Sequence, residues 1–464
     1  MYINSSSRVA VLDLTHGGIV LSRKLKKLVR SVTAIDVYNT ITEVLDELEN
    51  EGITTAQSPL NVDDFDVLIA PVHLDPDYPM LRDAVNKNIP VLSHHAAAGQ
   101  ILSAFSSAPQ SNYDLRDKTI IEITGTKAKT STSILLAEML SREKKVISHT
   151  SQGVKDWSTG RIIKKGLSIT PASTLSALDA VLEAGIEPEV VIFEISLGGT
   201  GFANIGVITT VANDYPIANN TRMASEAKRQ MILNAKTGSS LVVNYDALRL
   251  FGACRRDINI ISFTDTVNAS CNVYYEDISS KGGVIAYYLG KRQGRIHIPE
   301  NPGYDIDSYK TAFVCATAVA LAMDIDDDAI DRSIREFRGA EGRMRKTSLQ
   351  GRVLIDNSNS GMDIHTAEKA LLYSKPEGGR IVMVLGEEAQ QVCEGLDPGG
   401  VADFIDRHQS ELRALVLVGE RMLPFVQDNV KSIYYADNLS CGIELAIQLT
   451  NEKDIILSCV KCFR

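Results

Sequence analysis

The sequence predicts an α/β protein built on parallel sheets, and three observations carry that expectation. Apolar strand-like segments alternate with helix-like ones near both ends of the chain, the pattern of a parallel sheet flanked by helices. In the middle, "IIEITGTKAKTSTSILLAEML", residues 120–140, starts as a strand, turns through a small glycine loop with two lysines and continues as an apolar-periodic helix. Further on, "VVIFEIS" reads as an apolar strand that ends in a carboxylate, Glu194.

The N-terminal pieces run "RVAVLDL", "VLSRKLKKLVRS", "VTAIDVY", "TITEVLDELEN", "DFDVLIAPV", "PMLRDAVNKN" and "IPVLS", strand and helix in turn. The turn after the first of these strands, Thr15, His16, Gly17 and Gly18, lies where doubly wound sheets bind ligands. It reads equally as a glycine turn with one exposed histidine. A polar stretch, "SSAPQSNYDLRDK", reads as a linker before the glycine loop. After the loop come "VVIFEIS", "GVITTVAN", a helix-like "ASEAKRQMILNAK" and the strand "SSLVVNYD". The last third alternates again: "RIVMVLG", "DFIDRHQSELR", "ALVLVGE", "CGIELAIQLT" and "DIILSCV". With 464 residues the chain exceeds one ordinary core, and three α/β domains are the economical division: 1–112, 113–345 and 346–464.

Net charge is −10 with both signs mixed along the chain, so no nucleic-acid surface is expected. No apolar run approaches the ~18 residues of a membrane span, and the start "MYINSSSRVAVLDL" lacks the features of a signal peptide, so a cytoplasmic protein is expected. Seven scattered cysteines make no disulfide framework. Cys459 and Cys462 form one C-x-x-C without a second pair for zinc, and a structural role is expected for them.

A strict phosphate loop reads G-x-x-x-x-G-K-[ST]: glycines let backbone amides close on phosphate oxygens, the lysine reaches the outer phosphates and the hydroxyl binds magnesium. Lys129 and Thr130 fit this pattern, whereas Ile123 and Ala128 stand where its glycines belong. What is left is a strand, Gly125, a lysine, a hydroxyl residue and a helix N-terminus, an arrangement that attracts an anion. A carboxylate at the end of a buried strand is the usual second magnesium ligand beside such a loop, which makes Glu194 a candidate.

The succession "TGTKAKTST", "FEISLGG", "ITTVANDYP", "ASEAKRQMI", "LVVNYDA", "GAEGRMR" and "LIDNSNS" resembles the Mur ligases, ATP-dependent ligases that include the peptidoglycan peptide-adding enzymes and folylpolyglutamate synthetases. The resemblance implies a three-domain architecture: a Rossmann-like substrate domain, a central P-loop ATPase domain and a C-terminal Rossmann-like domain. It implies that residues 124–131, namely Thr124, Gly125, Thr126, Lys127, Ala128, Lys129, Thr130 and Ser131, hold ATP. By the same resemblance Thr130 and Glu194 hold Mg2+, and Asn244 and Asp246 lie near the nucleotide. Arg343 would reach the phosphates and Asp356 would hold ATP from the last domain. Lys228 falls where several Mur ligases carry a carbamylated lysine that bridges magnesium; it reads otherwise as an exposed helix lysine.

Departures are equally legible. Tyr215 follows Asp214 where the family has histidine, "GYDIDSY" replaces a His-Asn pair, and "DNSNS" replaces a "DDYAH" type of segment. Within the family, "DLTHGG", "SHHAAAGQIL", "GTKAKTST" and "SCVKCFR" are similar to the ligase of methanogenic archaea that closes the last carbocyclic ring of a nickel tetrapyrrole. That resemblance implies a nickel seco-acid substrate, nickel entering with it, and places His16, Gly17, Gly18, His94 and His95 toward the macrocycle. Two other outcomes stay open at this point: an amide ligase that adds an amino acid, and a non-catalytic nucleotide-binding scaffold.

Overall fold

Short apolar strands separated by helices give the first hundred residues a parallel five-stranded sheet, ordered Thr54–Ala56, Ser31–Ile35, Arg8–Leu12, Val67–Ala70, Val91–Ser93. The chain builds outward from Arg8–Leu12 on one side and then returns to its other side with Val67–Ala70. Ligand crevices form at such a reversal, outside the carboxyl ends of the strands. The structure is a computed structural model that describes residues 3–41, 43–107, 115–252, 255–388, 395–426 and 432–462. The expected domain boundary at 112–113 lies outside the described residues.

The central sheet has a parallel middle ordered Asn259–Phe263, Ser240–Asn244, Ile205–Ile208, Thr119–Thr124, Val190–Glu194, Val146–Thr150. An antiparallel ribbon, Gly153–Asp156 and Ile162–Lys164, extends one edge. Thr119–Thr124 is thus flanked on both sides by parallel strands, which accounts for the unbroken apolar run of Val190–Phe193: all four side chains are buried. Each such burial contributes about 1.5–3 kcal/mol. The last sheet, residues 345–461, runs Arg345–Leu349, Arg352–Asp356, Ile455–Lys461, Ile381–Glu387, Ala414–Val418, Ile433–Ala436, with only its first pair antiparallel. Cys459 and Cys462 are buried on opposite faces of that sheet, as their odd spacing along a strand requires. Burial also pushes the Cys459 thiol up.

Two compact units result: residues 1–276, 285–296 and 311–333, and residues 277–284, 297–310 and 334–464. The first two sheets share a unit because they share a core. Val9, Val11 and Leu21 of the first sheet layer lie in one apolar cluster with Ile120, Ile147 and Phe193 of the second. Lys24 and Asp179 add an ion pair of 2.6 Å between those layers. The segment read as one helix, "ASEAKRQMILNAK", is two short ones, Ala224–Lys228 and Gln230–Leu233. The edge strand Thr54–Ala56, three residues with no apolar alternation, escapes a reading by periodicity. No helix among the described residues is long and apolar enough to cross a membrane.

Candidate nucleotide and substrate site

The glycine loop leaves the strand Thr119–Thr124 and enters the helix Lys129–Leu140. Gly125 has φ +150°, and a Cβ there would lie 2.0 Å from Thr209 Oγ1, so this position admits glycine alone. The loop is tied to the next strand end: Thr126 N donates to Thr210 O at 2.9 Å, and Thr209 Oγ1 donates to Lys127 O at 2.6 Å. Ala128 sits at φ 65°, ψ 1°, the left-handed region that a glycine occupies without cost. Its departure from the P-loop pattern is therefore one of backbone conformation as well as of size. Changing Ala128→Gly is expected to stabilise the protein by up to about 1 kcal/mol in urea unfolding, with ADP formation unchanged; a loss of stability would contradict the strained geometry.

Below the loop, Thr130 Oγ1 donates to Glu194 Oε1 at 3.0 Å, and Ser151 N donates to Glu194 Oε2 at 3.3 Å. Thr130 is 3 % and Glu194 2 % exposed, so a carboxylate and a hydroxyl meet in a closed corner beside the glycine loop. Such hard oxygen donors fit magnesium. Lys129 Nζ donates to Gly125 O at 3.0 Å, across the loop. Thr124 Oγ1 accepts from Gly198 N at 3.2 Å, linking the loop to the "SLGG" turn beyond Glu194.

Lys228 is fully buried at 0 % exposure, on the helix Ala224–Lys228. Burial, aided by the neighbouring Lys129 ammonium and opposed by Asp214, pushes its pKa down to about 7. The amine lies 5.0 Å from the Tyr215 ring centroid, so the residue found in place of histidine covers this lysine. Lys129, Thr130, Glu194 and Lys228 are thereby brought together in one place.

Other expected residues are placed differently. His94 is 1 % exposed, with Nε2 2.9 Å from Leu12 O, and His95 is 4 % exposed, with Nε2 2.7 Å from Ser196 O. Burial lowers the pKa of each to about 4, so both are neutral donors, His94 within the first sheet layer and His95 from that layer to the turn beyond Glu194. Contact with a substrate, the role expected for them from sequence, is at odds with that burial. Asn244 caps the helix Tyr245–Phe251 by accepting from Asp246 N at 3.0 Å, and the Asp246 side chain is exposed. In the second unit, Asp356 accepts from Gly342 N at 3.0 Å, and Arg343 Nη1 donates to Asn359 Oδ1 at 2.9 Å, one network within that unit. The assignment of Arg343 and Asp356 to the nucleotide comes from the resemblance.

His16 is where sequence placed it, in the turn after the first strand, and it has partners that sequence did not single out. Its Nδ1 lies 2.7 Å from Asp13 Oδ2, and His73 Nε2, from the loop after Val67–Ala70, lies 3.5 Å from the same oxygen. Burial works against an ionised Asp13, but the hydrogen bonds from His16, with the nearby His73 imidazole, outweigh it and hold the carboxyl below the usual range. The i, i+3 spacing of Asp13 and His16 was a usable signal; nothing in the sequence joins them to His73. A cavity of about 1010 Å³ opens between the first two sheet layers, lined by Val72, Gln100, Phe202, Arg222, Ala227 and Gln230 among others. Its wall thus includes the residues next to His73 and next to Lys228.

A glycine loop over a hydroxyl–carboxylate pair, a buried lysine beside it and three α/β sheets define a Mur-type ATP-dependent ligase. The fold is shared with MurF from Acinetobacter baumannii, at a TM-score of 0.58 and 12 % identity over 97 % of this chain and 90 % of that one. It is likewise shared with the MurF ligase from Thermotoga maritima solved with ADP, at a TM-score of 0.52 and 11 % identity over 94 % and 92 % of the two chains. Residues 346–462 match the family described as coenzyme F430 synthetase CfbE, C-terminal domain. Over 98 % of its length the chain is 45 % identical to the coenzyme F(430) synthetase of Methanosarcina acetivorans, covering 99 % of that protein. The chain belongs to the coenzyme F430 synthetase family.

Proposed function

We propose that this chain makes coenzyme F430 by activating a propionate carboxylate of a nickel seco-tetrapyrrole acid with ATP and closing the final carbocyclic ring, with release of ADP and phosphate. The observation that carries the proposal is the Thr130–Glu194 pair, 3.0 Å apart beneath the glycine loop, in a chain that spans 99 % of a coenzyme F(430) synthetase. A carboxylate is a poor electrophile, because its charge is delocalised and its leaving group would be oxide. Transfer of the γ-phosphoryl group converts it to an acyl phosphate, from which phosphate departs when a nucleophile attacks.

The chain's own groups suit that sequence. Loop amides and Lys129 would hold and orient the phosphates, and Thr130 with Glu194 would hold Mg2+. Magnesium, when bound, neutralises charge that develops on the transferring phosphoryl group. Lys228, with its pKa lowered to about 7, is about half neutral at pH 7 and so a candidate for carbamylation, since only a neutral amine adds to carbon dioxide. The cavity of about 1010 Å³ has the size of a macrocycle-binding site, and Arg222 offers it a cation for a peripheral carboxylate. The divisions 1–112, 113–345 and 346–464 then serve as substrate, ATPase and C-terminal domains of a cytoplasmic enzyme.

The test is the mass of the tetrapyrrole after incubation with the protein, magnesium and ATP, with no amine present. A product one water lighter, formed together with ADP, is expected. An unchanged mass, with ADP formed only on adding an amine, would replace ring closure by amide ligation.

A further inference from the structure

We propose that Asp13 and His16 form the general base of the ring closure, His16 taking the proton from the attacking carbon of the substrate. The proposal rests on the reading above, that a carbon of the macrocycle attacks an activated carboxylate. Unlike an amine, such a carbon carries no lone pair, so its C–H bond must be broken by a base placed for the purpose. Its electron pair forms the new bond to the acyl carbon, the acyl C–O bond breaks and phosphate leaves, and the proton passes to His16 Nε2.

The geometry supports each part of that role. Asp13 and His16 follow the strand Arg8–Leu12, and His73 follows its neighbour Val67–Ala70, so they converge on the crevice where the sheet reverses its order. Asp13 is fully buried and holds φ 68°, ψ 89°, a left-handed conformation of the kind that persists at functional sites only when its surroundings enforce it. Here it is enforced by two contacts with one residue: His16 N donates to Oδ1 at 3.1 Å, and His16 Nδ1 lies 2.7 Å from Oδ2. Against an ionised carboxylate Nδ1 must carry the hydrogen, which makes Nε2 the basic nitrogen and fixes the ring's orientation. His73 stands nearly perpendicular to His16, with ring centroids 4.7 Å apart, and braces both groups.

The dyad also lies at the correct end of the molecule. A Cβ on Gly17 would come within 2.7 Å of Ala172 Cβ and 3.2 Å of Thr170 Oγ1, so the His16 turn packs directly on the segment before the helix Ser173–Glu183. One residue earlier, Ile169 O accepts from Ser196 N at 2.8 Å, and Ser196 is two residues past Glu194. From the other side, His95 bonds Ser196 O and feels the charges of both His73 and Lys228. The His16 turn is thus joined, through residues 169–172 and Ser196, to the strand that ends in Glu194.

Donor atoms of Asp13, His16 and His73 all lie within 4.8 Å of one another, so a cation is the competing occupant. Two donors bound at about 2.1 Å to one tetrahedral metal stand more than ~3 Å apart. The 2.7 Å between Asp13 and His16 is instead the distance of a shared proton.

Hydroxylamine separates the two halves of the reaction, because it captures an acyl phosphate as a hydroxamate without need of the carbon nucleophile. The full chain is incubated with the nickel seco-acid, magnesium, ATP and hydroxylamine, and hydroxamate, ADP and closed ring are measured. For His16→Gln, ring closure is expected to fall about 100-fold or more while hydroxamate formation stays within about threefold of the parent, and added imidazole is expected to restore part of the closure. Asp13→Asn, in which asparagine readily adopts the left-handed backbone, is expected to show the same split with a smaller loss. Ring closure by His16→Gln at the parental rate would overturn the proposal. So would equal loss of hydroxamate and ring in both variants, which would make the dyad a binding or folding element. If the parent protein yields neither product, the proposed reaction itself falls, and the base with it.

Discussion

Replacing Glu194 by glutamine is expected to reduce ADP formation by at least ~100-fold while leaving the protein folded. Glutamine has the shape of the carboxylate, and its oxygen can still accept from Thr130 Oγ1 or from Ser151 N, which now donate to the two carboxylate oxygens at 3.0 and 3.3 Å. The carboxylate is what disappears, and with it the strongest of the hard donors proposed to hold magnesium. Because the pair is buried, water cannot substitute for the lost ligand at little cost. Unfolding midpoints for the parent and the variant should agree closely, and the deficit should deepen as magnesium is lowered. ADP formation by Glu194→Gln within about threefold of the parent would remove this residue from the proposed metal site.

The second large effect concerns Lys228. In the unfolded chain its amine titrates near 10.5, whereas burial brings it to about 7 in the folded protein. Between those two values the unfolded chain binds the extra proton, so stability rises with pH across that window; below about 7 the cost of burying the charge is felt in full. One such group sets a slope of at most about 1.4 kcal/mol per pH unit. Urea unfolding of the metal-free protein from pH 7 to 9 should show this rise, and Lys228→Met should flatten it. Activity is expected to be lost in Lys228→Ala and partly restored by acetate, which can supply the carboxylate that a carbamate would. Failure of acetate, together with an intact lysine mass in bicarbonate buffer, would leave Lys228 as a buried amine and nothing more.

Reading by sequence succeeded where the decisive interactions are local. The strand at 190–194, the loop after residue 124 and the helix behind it are each built from contiguous residues, so residue order alone carries their conformation. The strict phosphate-loop pattern still misjudged Ala128, because a pattern counts side chains whereas the loop constrains φ; here an alanine takes the left-handed turn. His94 and His95 illustrate the opposite difficulty. Two adjacent histidines suggest a ligand site, yet each faces inward to a backbone carbonyl, Leu12 O and Ser196 O, that lies far away in sequence.

By itself the sequence determined the α/β class, through the alternation of apolar periods, and it determined which residues form the glycine loop and end the strand beside it. Tertiary structure alone decided that Lys228, apparently an ordinary helix lysine, is buried beside Lys129, and that the first two sheets share a core. It alone gathered Asp13 and His16 with His73, which the chain reaches only after adding two strands on the far side of the first. The physical reason is common to all three: periodicity and caps are fixed within a few residues, whereas burial and charge proximity depend on which strands become neighbours.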